Sequence, residues 1–164
     1  MSVSVSYESK VNTVETITTA VPAISSNANS VLHNAYSTSK AMTASTTPPA
    51  TQCAYMLKAL SGGAGTIDLT SLTGANGAAV DGTGLKVQVM KFKASTGNTG
   101  AITVTFGASN AYNLLGSSFT FDVKAGQEVT IYGNDATPDI SASACEIDLS
   151  GTGSETLQVS IVMG

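Results

Sequence analysis

From about residue 53 onward, apolar and polar residues alternate along this chain in short runs, each of which holds its apolar side chains to one face. Alternation with period 2 marks a strand with one buried face, because successive strand side chains point to opposite sides. Ile67 and Leu69 alternate with Thr66, Asp68 and Thr70; Ile102, Val104 and Phe106 alternate with Thr103 and Thr105. Phe119, Phe121 and Val123 repeat the pattern, as do Val129 with Ile131, Ile147 with Leu149, and Leu157 with Val159 and Ile161. One run breaks phase. Leu85, Val87 and Val89 share a face, and Met90 and Phe92 then fall on the other. Such a flip requires a β-bulge, which inserts one unpaired residue, or a strand buried on both faces in an oligomer; the bulge is the preferred reading. Residues 53–60 are the one place where a short helix competes with a strand.

The segments between runs are short and polar and carry glycine: residues 95–100, 124–127 and 150–154. They predict hairpins, which join consecutive strands antiparallel. Strands with a single apolar face close best as two packed sheets. The expected fold is all-β, an antiparallel β-sandwich over residues 51–164. Immunoglobulin domains carry a Cys…Trp…Cys signature; this chain has no Trp, which favours a jelly-roll-like topology. Residues 1–50 are rich in Ser, Thr, Ala and Asn and end near the adjacent Pro48 and Pro49, which favour stiff extended chain. Val3, Val5 and Tyr7 alternate with serines, enough for short strands at most. This region is expected to be an extended N-terminal arm, or outer strands laid on the body.

Composition narrows the partners. The chain has 164 residues, enough for one domain with or without an arm, and 42% are hydrophobic, which argues for a packed core over disorder. Only 11% are charged, against roughly 25% in an average soluble domain. The net charge is −4 and every basic residue is lysine. Arginine forks onto phosphates and guanine edges, so its absence counts against a nucleic-acid partner. No run approaches the ~18 apolar residues that span a bilayer, so no membrane partner is expected. The N-terminus lacks the basic and apolar regions of a secretory signal, and no Asn-x-Ser/Thr sequon occurs. Folding in a cytosol is the expectation.

Catalytic chemistry has little to work with. Nucleophilic catalysis needs a base beside the nucleophile, and the single histidine, His33, stands in the weakly patterned N-terminal region without a Gly-x-Ser-x-Gly elbow anywhere. Gly62, Gly63 and Gly65 lack the Gly-Lys-Ser/Thr ending of a phosphate loop. Asp81, Asp135 and Asp139 occupy loops, where Asp favours turns through its own backbone bonds; calcium binding or a glycosidase role is the secondary reading, without the spacing of an EF-hand. Cys53 and Cys145 read as free thiols in a reducing compartment, with a disulfide between them as the alternative; with His33 they are too few for a metal. Lys86, Lys91 and Lys93 lie on one strand and read as solvated lysines that discourage edge aggregation, or that dock on an acidic partner. No catalytic, cofactor or metal site is expected, and the chain reads as a non-enzyme.

Residues 100–107 (Gly-Ala-Ile-Thr-Val-Thr-Phe-Gly), followed by residues 119–133 with their Ala125-Gly126-Gln127 turn and Val129-Thr130-Ile131 strand, resemble the small β-sandwich decoration (cement) and head-fibre proteins of tailed-bacteriophage capsids. The resemblance implies a homotrimer made in the host cytoplasm and carried on the virion, where it binds the major capsid protein and reinforces the shell from outside. It carries no residue-level site. A carbohydrate- or surface-binding module is the alternative; of the five tyrosines (Tyr7, Tyr36, Tyr55, Tyr112, Tyr132), Tyr112 is the best candidate for its platform.

Overall fold

The computed structural model describes residues 2–17 and 29–164, and every regular element among them is a β-strand. In chain order these are β1 (Ser4–Ile17), β2 (Asn29–Thr43), β3 (Gln52–Ala59), β4 (Ala64–Asp68), β5 (Leu72–Thr73) and β6 (Ala79–Val80), then β7 (Val87–Ala94), β8 (Ile102–Phe106), β9 (Thr120–Val123), β10 (Glu128–Tyr132), β11 (Glu146–Ser150) and β12 (Thr156–Met163). In the window that left helix and strand open, residues 53–60, all but Leu60 belong to strand β3.

The described part of Ser6–Ala41 forms one compact unit, and residues 2–5 with Met42–Gly164 form another. The first unit is a two-stranded sheet of β1 and β2. Its strands run to 14 and 15 residues, where the brief Val3–Val5–Tyr7 alternation predicted short ones. A two-stranded sheet has no obligatory buried face, so no continuous apolar stripe announces its length; Val11 and Val14 on β1 are exposed.

The second unit is the antiparallel sandwich. One four-stranded sheet has the order β10-β7-β12-β3 and the other β4-β11-β8-β9, with β5 and β6 as a small separate pair. The alternating residues sit as their pattern requires. Ile67, Ile102, Val104, Val123, Ile147 and Leu149 from one sheet meet Met90, Phe92, Leu157, Val159 and Ile161 from the other in a single buried cluster. Phe92 on β7 and Phe121 on β9 touch edge to face across the sheets, with centroids 5.6 Å apart, a favoured aromatic geometry.

The three predicted hairpins are corrected. Residues 95–100 join β7 to β8, residues 124–127 join β9 to β10, and residues 150–154 join β11 to β12; each pair is split between the two sheets. These loops are arches across the sandwich. A glycine-bearing polar loop serves equally well to turn within a sheet or to step between two sheets about 10 Å apart, so its sequence does not distinguish the two.

The phase flip in β7 is a bulge. Val162 of β12 pairs with Val89 and Met163 with Val87, which leaves Gln88 as the extra residue. Val87 and Met90 therefore both reach the core although they stand an odd number of positions apart. Gln88 is 0% exposed, a burial that an amide tolerates only with its bonds satisfied. Its Nε2 donates to Asp135 Oδ1 at 3.0 Å and to the Gly164 carbonyl at 3.2 Å, and its Oε1 accepts from the Asp135 backbone N–H at 2.9 Å. The loop after β10 closes over the same spot. Gly133 N–H donates to the Gln88 carbonyl at 2.7 Å, and Thr137 Oγ1 to the Val87 carbonyl at 2.7 Å.

Tyr112, from the loop between β8 and β9, completes this knot. It is fully buried, accepts the Val87 N–H on its hydroxyl at 3.2 Å and donates to the Pro138 carbonyl at 2.9 Å. Burial pushes its phenol above the ordinary value. Replacing Tyr112 by Phe keeps the ring and strands both backbone groups, so urea unfolding is expected to show a loss of about 1–3 kcal/mol; an unchanged midpoint would mean that the two bonds contribute nothing. At Gly133 a side chain would run into the Val87 carbonyl and Thr137. Gly133→Ala is therefore expected to lower the melting temperature clearly, whereas Gly77→Ser, at a left-handed turn position with open space around it, should lower it less.

Candidate interaction surface

The outward face of the β10-β7-β12-β3 sheet is read directly from its register. One row across the strands is Leu57, Gln158, Lys93 and Glu128; the next is Tyr55, Ser160, Lys91 and Thr130. Tyr55 and Leu57 stand out of the edge strand with 46% and 63% of their surfaces exposed. Lys91 Nζ lies 3.0 Å from Glu128 Oε2, and this lysine holds the Glu128 carboxyl below its ordinary value. No ion pair engages Lys93 among the described residues. The face thus runs from an apolar margin on β3, across Gln158 and Ser160 of β12, to Lys91 and Lys93 on β7.

Lys86 does not share this face. It precedes β7, and its ammonium turns to the loop after β10, 3.9 Å from Asp135 Oδ1 and 3.3 Å from the Asp135 carbonyl. Lys86 lies just outside β7, before the bulge at Gln88, and its pull toward Asp135 takes it away from the surface that Lys91 and Lys93 share.

The loop aspartates are tied to local backbone. Asp81 Oδ1 accepts from Thr83 N–H at 2.9 Å and from Thr83 Oγ1 at 2.6 Å, and these bonds, the hydroxyl's first, hold its carboxyl below the ordinary value. Asp135 sits at φ +65° against Gln88, and Asp139 bridges to Lys86 through the backbone. Among the described residues no three His, Cys, Asp or Glu side chains converge as a metal site would require. Cys53 is exposed on β3 and Cys145 buried just before β11, and the two are not joined. The side chain of His33 lies outside the described residues. The full burial of Tyr112 overturns its candidacy as a carbohydrate platform: its hydroxyl is spent inside the fold.

Two features escaped the sequence reading. A cleft of about 700 Å³ opens at the start of β3, lined by Gln52, Cys53, the β5–β6 turn and Leu85. The volume suits a small ligand, but no acid or base lines it. The second is Glu155, 5% exposed at the arch before β12. Its carboxylate accepts from Thr152 Oγ1, from Gly153 N–H at 2.7 Å and from Thr99 Oγ1 at 3.4 Å, joining the arches 95–100 and 150–154. Beside it the Asn98 amide brackets Thr156, accepting from its N–H at 2.9 Å and donating to its carbonyl at 3.0 Å.

Compared with protein families, with curated proteins and with solved structures, the chain finds no match.

The Thr152 hydroxyl first, with the backbone bonds behind it, holds the Glu155 carboxyl below its ordinary value. Its folded form is then more acidic than its unfolded form, so ionisation favours folding. That contribution is complete above the ordinary carboxylate range and is lost as pH falls through the lowered value. Urea midpoints should fall on acidification through this window, and Glu155→Gln should flatten the acid limb. A limb of unchanged slope in Glu155→Gln would remove Glu155 from the account.

Proposed function

We propose that this chain is a structural accessory protein of a phage virion, seated on the outer surface of the capsid through contacts with the major capsid protein and stabilising the shell. The observation that carries the proposal is the strand order. Counting only the eight strands of the two main sheets, one sheet has the order sixth, third, eighth, first and the other second, seventh, fourth, fifth. We read this as a jelly roll, the two-sheet architecture used by viral capsid and lectin domains among others. The inference from architecture to role is one of analogy, and it is supported by the likeness of residues 100–107 and 119–133 to decoration proteins. The mixed apolar and lysine face supports it too, since a rigid sandwich offers that face to a partner without reordering. In this reading the chain has no reaction to catalyse; its work is done by buried area and by backbone hydrogen bonds.

The test is co-sedimentation of the purified chain with empty phage shells, compared with Lys91→Glu/Lys93→Glu. Saturable binding to shells, weakened by the double substitution and by added salt, is expected. A chain that stays in the supernatant with every shell tried would defeat the proposal.

A further inference from the structure

We infer that strand β3 is a self-association edge: the β3 strands of two copies pair antiparallel about a twofold axis and join two four-stranded sheets into one of eight. The sheet ends at β3, whose only ladder partner among the described residues is β12. Leu60 N–H donates to the Glu155 carbonyl at 2.9 Å, which sets the alternation of backbone groups along the strand. Even-numbered residues turn to β12, and Cys53, Tyr55, Leu57 and Ala59 turn their N–H and C=O groups to the open side. A row of unpaired backbone groups specifies its own occupant, another extended strand.

The other sandwich edges are blunted. β9 has four residues, β10 carries Glu128 in its ion pair with Lys91, and β4 holds Gly65 with the Lys58 stem beside it. β3 has eight residues and shows no proline and no bulge; its one charge, Lys58, turns inward toward Gly65, the small β5–β6 pair packs against it, and Tyr55 and Leu57 stand exposed. Natural sheets seldom leave such an edge bare.

A second copy fits because the strand is self-complementary. With Met56 on the axis, Tyr55 faces the partner's Leu57 and Cys53 faces the partner's Ala59. All four are residues whose backbone groups point to the seam, so hydrogen-bond parity and side-chain phase agree. Tyr against Leu is a favourable cross-strand pair. Lys58 falls opposite the partner's Ala54, so no like charges meet. The contact is isologous and yields a dimer, whereas the likeness to decoration proteins implies a trimer.

Two variants test this in the full chain without shells, so the result is independent of shell binding. Cys53 opposite Ala59 lies at about 5.5 Å between Cα atoms in such a pair, inside the roughly 4.4–6.8 Å range of a disulfide. Ala59→Cys should therefore form a covalent dimer on mild oxidation, and Ala59→Cys/Cys53→Ser should not. Leu57→Lys, at an exposed site, should keep the wild-type circular dichroism and weaken dimerisation at least tenfold by sedimentation velocity. A wild-type chain that is monomeric at every concentration overturns the inference. So does a trimer whose mass Leu57→Lys leaves unchanged, or a covalent dimer that forms without Cys53.

Discussion

The sandwich turns on one extra residue. If Gln88 took an ordinary place in the ladder, β7 would run in simple alternation, and Val87 and Met90, an odd number of positions apart, could not both face the core. With the bulge, β7 keeps register with β12 on one side and β10 on the other. The cost of a bulge is an interrupted ladder with stray backbone groups. Here those groups are taken up by Tyr112, Thr137 and Gly133, and the bulged side chain itself holds Asp135 and the Gly164 carbonyl. Loops from both sides of the chain are thereby fixed to one strand. A half-satisfied knot would be worse than an apolar one; no buried side-chain nitrogen or oxygen lacks a partner among the described residues.

The same economy governs the charged groups. With few ions to place, the fold uses them singly and locally: Glu155 joins two arches, Asp81 caps its own turn, and Asp135 receives Gln88. Hydroxyls and backbone amides do the work that arginine networks do elsewhere. The outward sheet face keeps Lys91 and Lys93 one strand away from the apolar margin of β3, and this pairing of a rigid body with a sparse, graded surface underlies both the shell-binding proposal and the edge pairing.

How much of this was legible follows from what a linear pattern can carry. Strand existence and phase were legible, since Ile102, Val104, Leu157 and Val159 have neighbours on the chain that reveal which face is buried. The bulge was legible for the same reason, because Leu85 to Phe92 contain their own phase error. The strand order was not: residues 95–100, 124–127 and 150–154 look like hairpins, and only the position of their flanking strands in space makes them arches. Tyr112 misled because a tyrosine among Asn and Ser resembles a surface residue, while its burial depends on Val87 and Pro138, each more than twenty positions away. Gln88 and Glu155 escaped notice because a single polar residue in a strand or loop carries no signal until its partners are known. The length of β1 and β2 was hidden by the lack of any one-sided stripe.

Native-state hydrogen exchange at the bulge puts the central claim to the most direct test. If Gln88 and the groups around it hold the sandwich together, the amides of Val87, Gly133 and Asp135 should exchange only through global unfolding, with the same protection as Val159 and Leu149 in the two sheets. Exchange of those three amides through a local opening, orders of magnitude faster than the sheet core, would contradict the account and leave the bulge as an ornament on a fold that stands without it.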